Sequence, residues 1–176
     1  MQIFFPKEEG TEIRATILPE VAKKFTDLGI EVVVETEIGS NIFLPDESYQ
    51  QAGAIISTDR SKSLSEADIV CRINKPKLEE ISILKRNSIH VSFLDPFNEK
   101  ELVNEFAKAG ISAISMELVP RITRAQKMDA LSSQANLAGY SAVITASKTL
   151  TKSFPMMMTA AGTISPSRVF VIGVGV

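Results

Sequence analysis

The chain has 176 residues, of which 44% are hydrophobic and 23% are charged, and its formal net charge at pH 7 is −2. These values allow one globular domain with a real core, or one domain with part of a second. They exclude a broad electrostatic attraction for nucleic acid, and one cysteine with one histidine excludes disulfide frameworks, structural zinc and paired-histidine metal sites. No run approaches the 18 apolar residues of a membrane-spanning helix, so we predict no metal, no nucleic-acid partner and no direct membrane span.

Short apolar runs alternate with helical patterns through the first two thirds of the chain. Pro19 and Gly29 bracket one helical pattern, and Asn98 with Glu101 three residues later predicts a capped helix that ends at Gly110. Strand and helix alternate at about the pitch of βαβ units, which favours a doubly wound parallel sheet with helices on both faces. The predicted strands are residues 3–5, 31–35, 54–57, 68–73, 90–94 and 111–115.

His90 and Cys71 are the reactive side chains of this region. His90 lies in the apolar stretch SIHVSFL, and Cys71 lies in ADIVCRI. Free cysteine behaves as a small hydrophobic residue. We therefore predict that Cys71 belongs to the core and that His90 is a core or sheet-surface residue rather than a catalytic one.

After residue 116 the pattern changes to one long predicted helix, from about residue 125 to about residue 152. Its apolar stripe is rich in alanine, and small side chains let two backbones approach closely. We expect this helix to pack against something large and to connect two domains. The stripe consists of Met128, Leu131, Ala135, Ala138, Ala142, Ala146 and Leu150.

The sequence closes on RVFVIGVGV, which predicts a buried strand that runs into Gly173 and Gly175. A strand followed by a glycine-rich turn is typical of nucleotide-binding α/β domains. The third glycine of that motif would fall two residues beyond Val176, so we expect the sequence to be a fragment of a longer subunit. The preceding segment, between Pro155 and Pro166, is predicted to be an irregular linker.

Polar side chains crowd into thirteen residues at the start of the long helix. On a continuous helix, Gln126, Asp129 and Ser133 would share one face. One interpretation is a solvated helical turn with a surface Arg–Asp pair. The other is a ligand site, where arginine binds phosphate or carboxylate, glutamine suits a carboxamide, and aspartate accepts from ribose hydroxyls or fixes the arginine. The residues alone leave both open; they are Arg121, Arg124, Gln126, Asp129, Ser132 and Ser133.

Along its whole length the chain resembles the N-terminal part of the alanine dehydrogenase/NAD(P) transhydrogenase family, and specifically the NAD(H)-binding subunit of proton-translocating NAD(P) transhydrogenase. The long motif ELVPRITRAQKMDALSSQANLAGYSAV at 117–143 is the most specific part of the resemblance. The other matching segments are PKE at 6–8, Arg14 before LPE, AAGT at 160–163 and RVFVIGVGV at 168–176.

The resemblance implies a division of the chain and a set of site residues. It implies a Rossmann-like N-terminal domain at 1–125, a connector helix and linker at 126–167, and the first strand of a truncated NAD(H)-binding Rossmann domain at 168–176. The catalytic residues that it implies, at the dihydronicotinamide end of NADH, are Arg121, Gln126, Asp129 and Ser132. Further cofactor contacts are implied for Lys127, Met128, Tyr140, Gly173, Gly175 and Val176.

The same resemblance implies the activity and the partners. The activity is hydride transfer between NAD(H) and NADP(H), coupled to proton translocation in the full complex, with NADP(H) on a partner domain. Membrane-spanning components, a homodimer of the full subunit and a peripheral location on the cytoplasmic or matrix face are also implied. The chain by itself is expected to bind NAD(H) poorly and to be inactive.

Two alternatives remain beside transhydrogenation. Alanine dehydrogenases of the family use an arginine, a lysine and a histidine around the amino acid; Arg14 matches the first, but Asn74 and Phe93 stand at the other two positions, with Lys75 one place late. Transhydrogenation needs neither of the missing groups, because positioning of two rings is its main catalytic contribution. The other alternative is a non-catalytic remnant that binds a partner.

Overall fold

The structure, a computed structural model, describes residues 1–174. The chain divides into two compact units, Met1–Leu118 and Val119–Val176. The predicted domain boundary after residue 125 thus falls inside the second unit. Gly175 and Val176, for which cofactor contacts are predicted, lie outside the described residues.

The first unit is built on a six-stranded parallel sheet in the order β3-β2-β1-β4-β5-β6. The α/β fold class and each of the six predicted strands are confirmed, with ends that shift by one or two residues. The strands are β1 Gln2–Phe5, β2 Glu31–Glu35, β3 Ile55–Ser57, β4 Ile69–Cys71, β5 Ile89–Ser92 and β6 Ser112–Ser115. The helices are α1 Pro19–Asp27, α2 Asp46–Gln51, α3 Arg60–Glu66, α4 Leu78–Ile81 and α5 Lys100–Ala109.

The core lies on both faces of this sheet. Alternate side chains of β1 point to opposite faces, so that Phe4 packs in one apolar cluster with Phe106, and Phe5 packs in the other with Tyr49. Parallel sheets are normally covered on both faces, as this one is. The strand order reverses between β1 and β4, which is where open α/β sheets usually form a crevice at the carboxyl ends of their strands.

The start of α5 corrects one prediction. The helix begins at Lys100 after Glu99, and no side chain caps it. Asn98, the predicted cap, instead donates its amide to the carboxylate of Asp95, at 2.9 and 3.0 Å. The predicted end is confirmed, because Gly110 closes the helix with a left-handed φ of 71°.

The second unit contains helix α6, Ala130–Thr149, preceded by the 3-10 helix Thr123–Met128. The prediction of one continuous helix from residue 125 is wrong, because the helical geometry breaks at Asp129, whose ψ is 85°. The Asp129 side chain bonds the backbone of the next turn, and such a local bond competes with helix continuation. No residue of α6 is buried within the described part of the chain, contrary to the tight packing that its small-residue stripe predicts.

The end of the second unit also differs from the prediction. The expected irregular linker contains an antiparallel hairpin, β7 Met157–Thr159 and β8 Gly162–Ile164. Residues 168–172 form no strand in the structure, and Phe170 and Ile172 are 88% and 89% exposed. A central parallel strand requires hydrogen-bonded neighbours on both sides, and the described residues supply none there. Among those residues, no helix is long and apolar enough to cross a membrane.

Candidate functional site

Four of the residues singled out from the sequence line one cavity of the second unit. Arg121, Gln126, Asp129 and Ser132 surround a volume of about 350 Å³. They come from the 3-10 helix and the residues before it, the residue that joins it to α6, and the first turn of α6. Ala125 anchors the 3-10 turn, since it is 3% exposed and its N–H donates to the Ile122 carbonyl at 2.9 Å.

Asp129 is the N-cap of α6. Its Oδ1 accepts the Ser132 N–H at 3.0 Å, and its Oδ2 accepts the Ser132 hydroxyl at 2.5 Å. The Ser133 hydroxyl donates to the Asp129 carbonyl at 3.1 Å. The residue is 8% exposed, and these bonds fix its backbone and both carboxylate oxygens.

The electrostatics of the cavity keep this carboxylate charged. The hydroxyl and the N–H of Ser132 lower the pKa of Asp129 below its usual value, and the positive charge of Arg121 lowers it further. Asp129 is therefore an anion and a pure acceptor at neutral pH, while Arg121 is a pure donor. Gln126 can both donate and accept, so the cavity offers every partner that a neutral amide needs.

The remaining predicted cofactor residues stand outside this arrangement. Among the described residues, Lys127, Met128 and Tyr140 do not line the cavity, and Met128 and Tyr140 are 57% and 71% exposed. Gly173 has a φ of 78°, a left-handed backbone suited to glycine, in the exposed segment that follows the hairpin. The structure thus brings together the four predicted catalytic residues, and it does not gather the additional cofactor contacts around them.

The groups that an amino-acid dehydrogenase would use are engaged within the first unit. Arg14 donates from Nε and Nη2 to the two carboxylate oxygens of Glu12, at 2.8 and 2.6 Å. This side-chain pairing lowers the pKa of Glu12 to about 2. Lys75 forms an ion pair with Glu99.

Glu8 occupies the crevice between the carboxyl ends of β1 and β4. Its Oε1 accepts the Ile73 N–H at 2.5 Å, and its Oε2 accepts the N–H and the side-chain amide of Asn74 at 3.2 and 3.1 Å. The position that would hold the lysine of a dehydrogenase therefore holds an amide that binds Glu8. The prediction from sequence missed this role of Glu8, because its partners lie 65 and 66 residues away.

His90 is confirmed as a core residue. It is 1% exposed on β5, its ring centroid lies 5.1 Å from that of Phe106, and its Nε2 is 3.2 Å from the Ser92 hydroxyl. Burial, together with the positive charge of Arg72, lowers the pKa of His90 to about 3. Burial likewise raises the pKa of Cys71 to about 11, so neither group is prepared for catalysis near neutral pH.

Comparison with protein families places this geometry in context. The N-terminal domain model of alanine dehydrogenase/PNT matches residues 4–138, and the C-terminal domain model of the same family matches residues 142–176. The chain belongs to the alanine dehydrogenase/PNT family. The family resemblance seen in the sequence is thereby confirmed.

Curated relatives refine the assignment. An NAD(P) transhydrogenase subunit alpha of Rhodospirillum rubrum is 43% identical over 182 residues, covering 100% of this chain and 47% of the relative. The subunit of the same name from Rickettsia prowazekii is 44% identical, with the same coverage. Alanine dehydrogenase 1 of Staphylococcus aureus is 32% identical over 121 residues, which cover 69% of this chain and 32% of the enzyme.

Solved structures agree with the sequence comparison. Transhydrogenase from Sinorhizobium meliloti superposes with a TM-score of 0.88 at 41% identity, over 94% of this chain and 50% of that structure. An L-alanine dehydrogenase shares the fold, with a TM-score of 0.76 at 23% identity over 84% of this chain and 40% of that structure. The chain spans about half the length of the transhydrogenase relatives that it matches.

Proposed function

We propose that this chain forms the nicotinamide-facing part of the NAD(H) site of an NAD(P) transhydrogenase alpha subunit. In the complete complex the reaction is hydride transfer between NAD(H) and NADP(H), coupled to proton translocation, with NADP(H) held by a partner domain. The observation that carries the proposal is the cavity lined by Arg121, Gln126, Asp129 and Ser132.

The cavity fits a nicotinamide ring with its carboxamide. Ligand pockets generally measure roughly 300–1,000 Å³, and about 350 Å³ suits one end of a dinucleotide better than the whole molecule. An arginine, an ionised aspartate and a glutamine amide form the donor and acceptor set that a carboxamide can satisfy. When bound, the dinucleotide supplies the ring carbon that gives or receives the hydride.

The protein residues contribute position rather than proton transfer. Arg121 and Asp129 fix the polar substituent of the ring, and the Ser132 bonds fix Asp129. Among the described residues that line the cavity, none is a histidine, lysine or cysteine. That composition suits direct ring-to-ring transfer, where proximity and orientation provide most of the rate enhancement.

The proposal extends to the rest of the subunit and to its partners. Lys127, Met128, Tyr140, Gly173 and the residues after it are proposed to contact the remainder of the dinucleotide once the rest of the Rossmann domain is present. Exposed apolar side chains of α6, such as Leu137 and Val143, support the proposal of a covered surface in a dimeric subunit. Membrane-spanning components would hold the assembly peripherally on the cytoplasmic or matrix face.

An amino-acid oxidoreductase is less well supported. Such an enzyme needs a free carboxylate clamp and an acid–base group close to the nicotinamide. Here Arg14 is bonded to Glu12, and Asn74 is bonded to Glu8. Neither the clamp nor the base is available in the arrangement that an amino acid would require.

A chimaera tests the choice between the two activities. Residues 1–176 are joined to the remaining half of the Rhodospirillum rubrum alpha subunit, and the product is assayed with its NADP(H)-binding partner. We expect hydride transfer from NADH to NADP⁺ and no NAD⁺-dependent oxidation of L-alanine. Oxidation of L-alanine without transfer between dinucleotides would contradict the proposal, and so would the absence of both activities from a folded chimaera that binds its partner.

A further inference from the structure

The acceptor end of the cavity is defined by the direction of its hydrogen bonds. The Ser132 hydroxyl donates its proton to Asp129 Oδ2, and the Ser132 N–H donates to Oδ1. A hydroxyl has a single proton, so Ser132 Oγ can offer a ligand only its lone pairs. The ionised Asp129 also offers only lone pairs. This end of the cavity accepts hydrogen bonds and has no proton to give.

The other lining residues do not remove this polarity. Arg121 only donates, and it would attract the oxygen of an amide or of a carboxylate. Gln126 adapts to either, because its amide carries both a donor and an acceptor. Discrimination between ring substituents therefore depends on the group that meets Asp129 and Ser132.

We infer that the Asp129–Ser132 pair makes the cavity selective for a pyridine ring that carries a neutral carboxamide, against the same ring that carries a carboxylate. The inference rests on the proposed function and names Asp129 and Ser132 as its specificity-determining residues. An amide presents one oxygen to Arg121 and an NH₂ group to the acceptor pair. A carboxylate presents two acceptor oxygens, so one of them faces the charge of Asp129 with no proton between them.

The size of the effect follows from the like charges. Two unit charges about 4 Å apart repel weakly in bulk water and several times more strongly at an effective dielectric constant of about 20. A partly buried carboxylate lies between those limits, and Arg121 offsets part of the repulsion. We expect the amide to be preferred at least about tenfold.

The test uses the 176-residue chain and two small ligands that need the cavity but not the pyrophosphate site. The ¹⁵N-labelled chain is titrated with nicotinamide mononucleotide and, separately, with nicotinic acid mononucleotide, and amide chemical shifts are followed by NMR. We expect shifts at Gln126 and Ser132 with the amide ligand, and at least about tenfold weaker binding of the acid.

Two variants and one control connect the preference to the pair. Asp129→Asn keeps a good N-cap and removes the charge, so the preference for the amide should disappear. Ser132→Ala keeps the charge of Asp129 and removes one acceptor, so the preference should fall by less. Asp59→Asn makes the same change at the N-cap of α3, where Asp59 accepts the Lys62 N–H at 2.9 Å, and should leave the preference unchanged.

The outcomes separate this inference from the proposed function. Equal affinity for the two mononucleotides, with shifts at the cavity residues, would overturn the selectivity and leave the nicotinamide site intact. An amide preference that survives in Asp129→Asn would show that other residues set it, which also overturns the inference. The absence of shifts with either ligand would overturn both the selectivity and the assignment of the cavity.

Discussion

The two units of this chain differ in how they hold their apolar residues. In Met1–Leu118 both faces of the sheet are covered, and Phe4, Val34 and Val70 are completely buried. In Val119–Val176 the large apolar side chains of α6 and of the segment after the hairpin are exposed, with Tyr140 at 71% and Phe170 at 88%. The first unit has a core of its own, whereas the second presents apolar surface that the described residues do not cover.

The candidate site lies in the second unit, and this explains how it is constructed. Its geometry comes from local bonds, chiefly those between Asp129 and Ser132, rather than from a core beneath it. Charged groups in the first unit are instead fixed by pairs between separate elements, such as Arg72 with Glu80 at 2.7 Å. Stability and the proposed chemistry are therefore separated along the sequence.

A matched pair of substitutions gives the largest expected effect. Phe4→Ala removes a fully buried ring from the central strand, and should lower the free energy of unfolding by about 3–5 kcal/mol. Phe170→Ala removes a ring that is 88% exposed, and should change it by less than about 0.5 kcal/mol. Urea unfolding followed by far-ultraviolet circular dichroism measures both. Comparable losses in the two variants would mean that the second unit has a core as well.

The pH dependence of the first unit should give a somewhat smaller effect. The pKa of His90 is lowered to about 3 in the folded chain, so between about pH 6.5 and that value the unfolded chain binds a proton that the folded chain does not. Stability should therefore fall as the pH falls, by about 1.4 kcal/mol for each unit. From about pH 6.5 to about pH 4.5 the loss should be about 2–3 kcal/mol.

His90→Leu provides the control for that prediction. Leucine has a similar volume and no titratable group, so most of the slope between about pH 6.5 and about pH 4.5 should vanish. Unfolding in urea at several pH values measures the slope for both proteins. A variant that keeps the full slope would assign the acid sensitivity to other groups.

The smallest expected effect on stability comes from the exposed apolar segment. Ile172 is 89% exposed, so the double change Phe170→Ser and Ile172→Ser should leave the free energy of unfolding within about 0.5 kcal/mol. It should nevertheless reduce self-association, because exposed apolar patches promote contact between molecules. Light scattering across a concentration series measures the change. Unchanged self-association would shift attention to α6 or the hairpin.

The sequence predicted the first unit well for a physical reason. Buried parallel strands are continuous apolar runs, and EVVVE gave β2 at its observed bounds, Glu31–Glu35. Pro19 and Gly29 set the limits of α1 in the same direct way, since proline suits a first turn and Gly29 has a φ of 76°. In each case the signal depends on residues that are close in the sequence.

The differences arise where one side chain chooses between competing partners. Asp129 interrupts a helical period because its carboxylate bonds Ser132, and Asn98 leaves its predicted cap position for Asp95. The MMMTAAGTI segment lacks the alternation that predicts a hairpin, although Thr159 bonds the turn residues Ala161 and Gly162. The cavity residues were selected by their family resemblance; that they line one cavity required the structure.

The most direct test of the central claim separates hydride transfer from binding. In the chimaera, Arg121→Ala should slow stopped-flow hydride transfer about 100-fold, because one well-placed donor near a reacting centre contributes on that order. The dissociation constant of NADH should change much less, since most binding surface belongs to the adenosine and pyrophosphate. Arg124→Ala, three residues later and outside the described lining of the cavity, is the matched control and should leave both unchanged. A large loss of NADH affinity with an unchanged transfer rate would contradict the account.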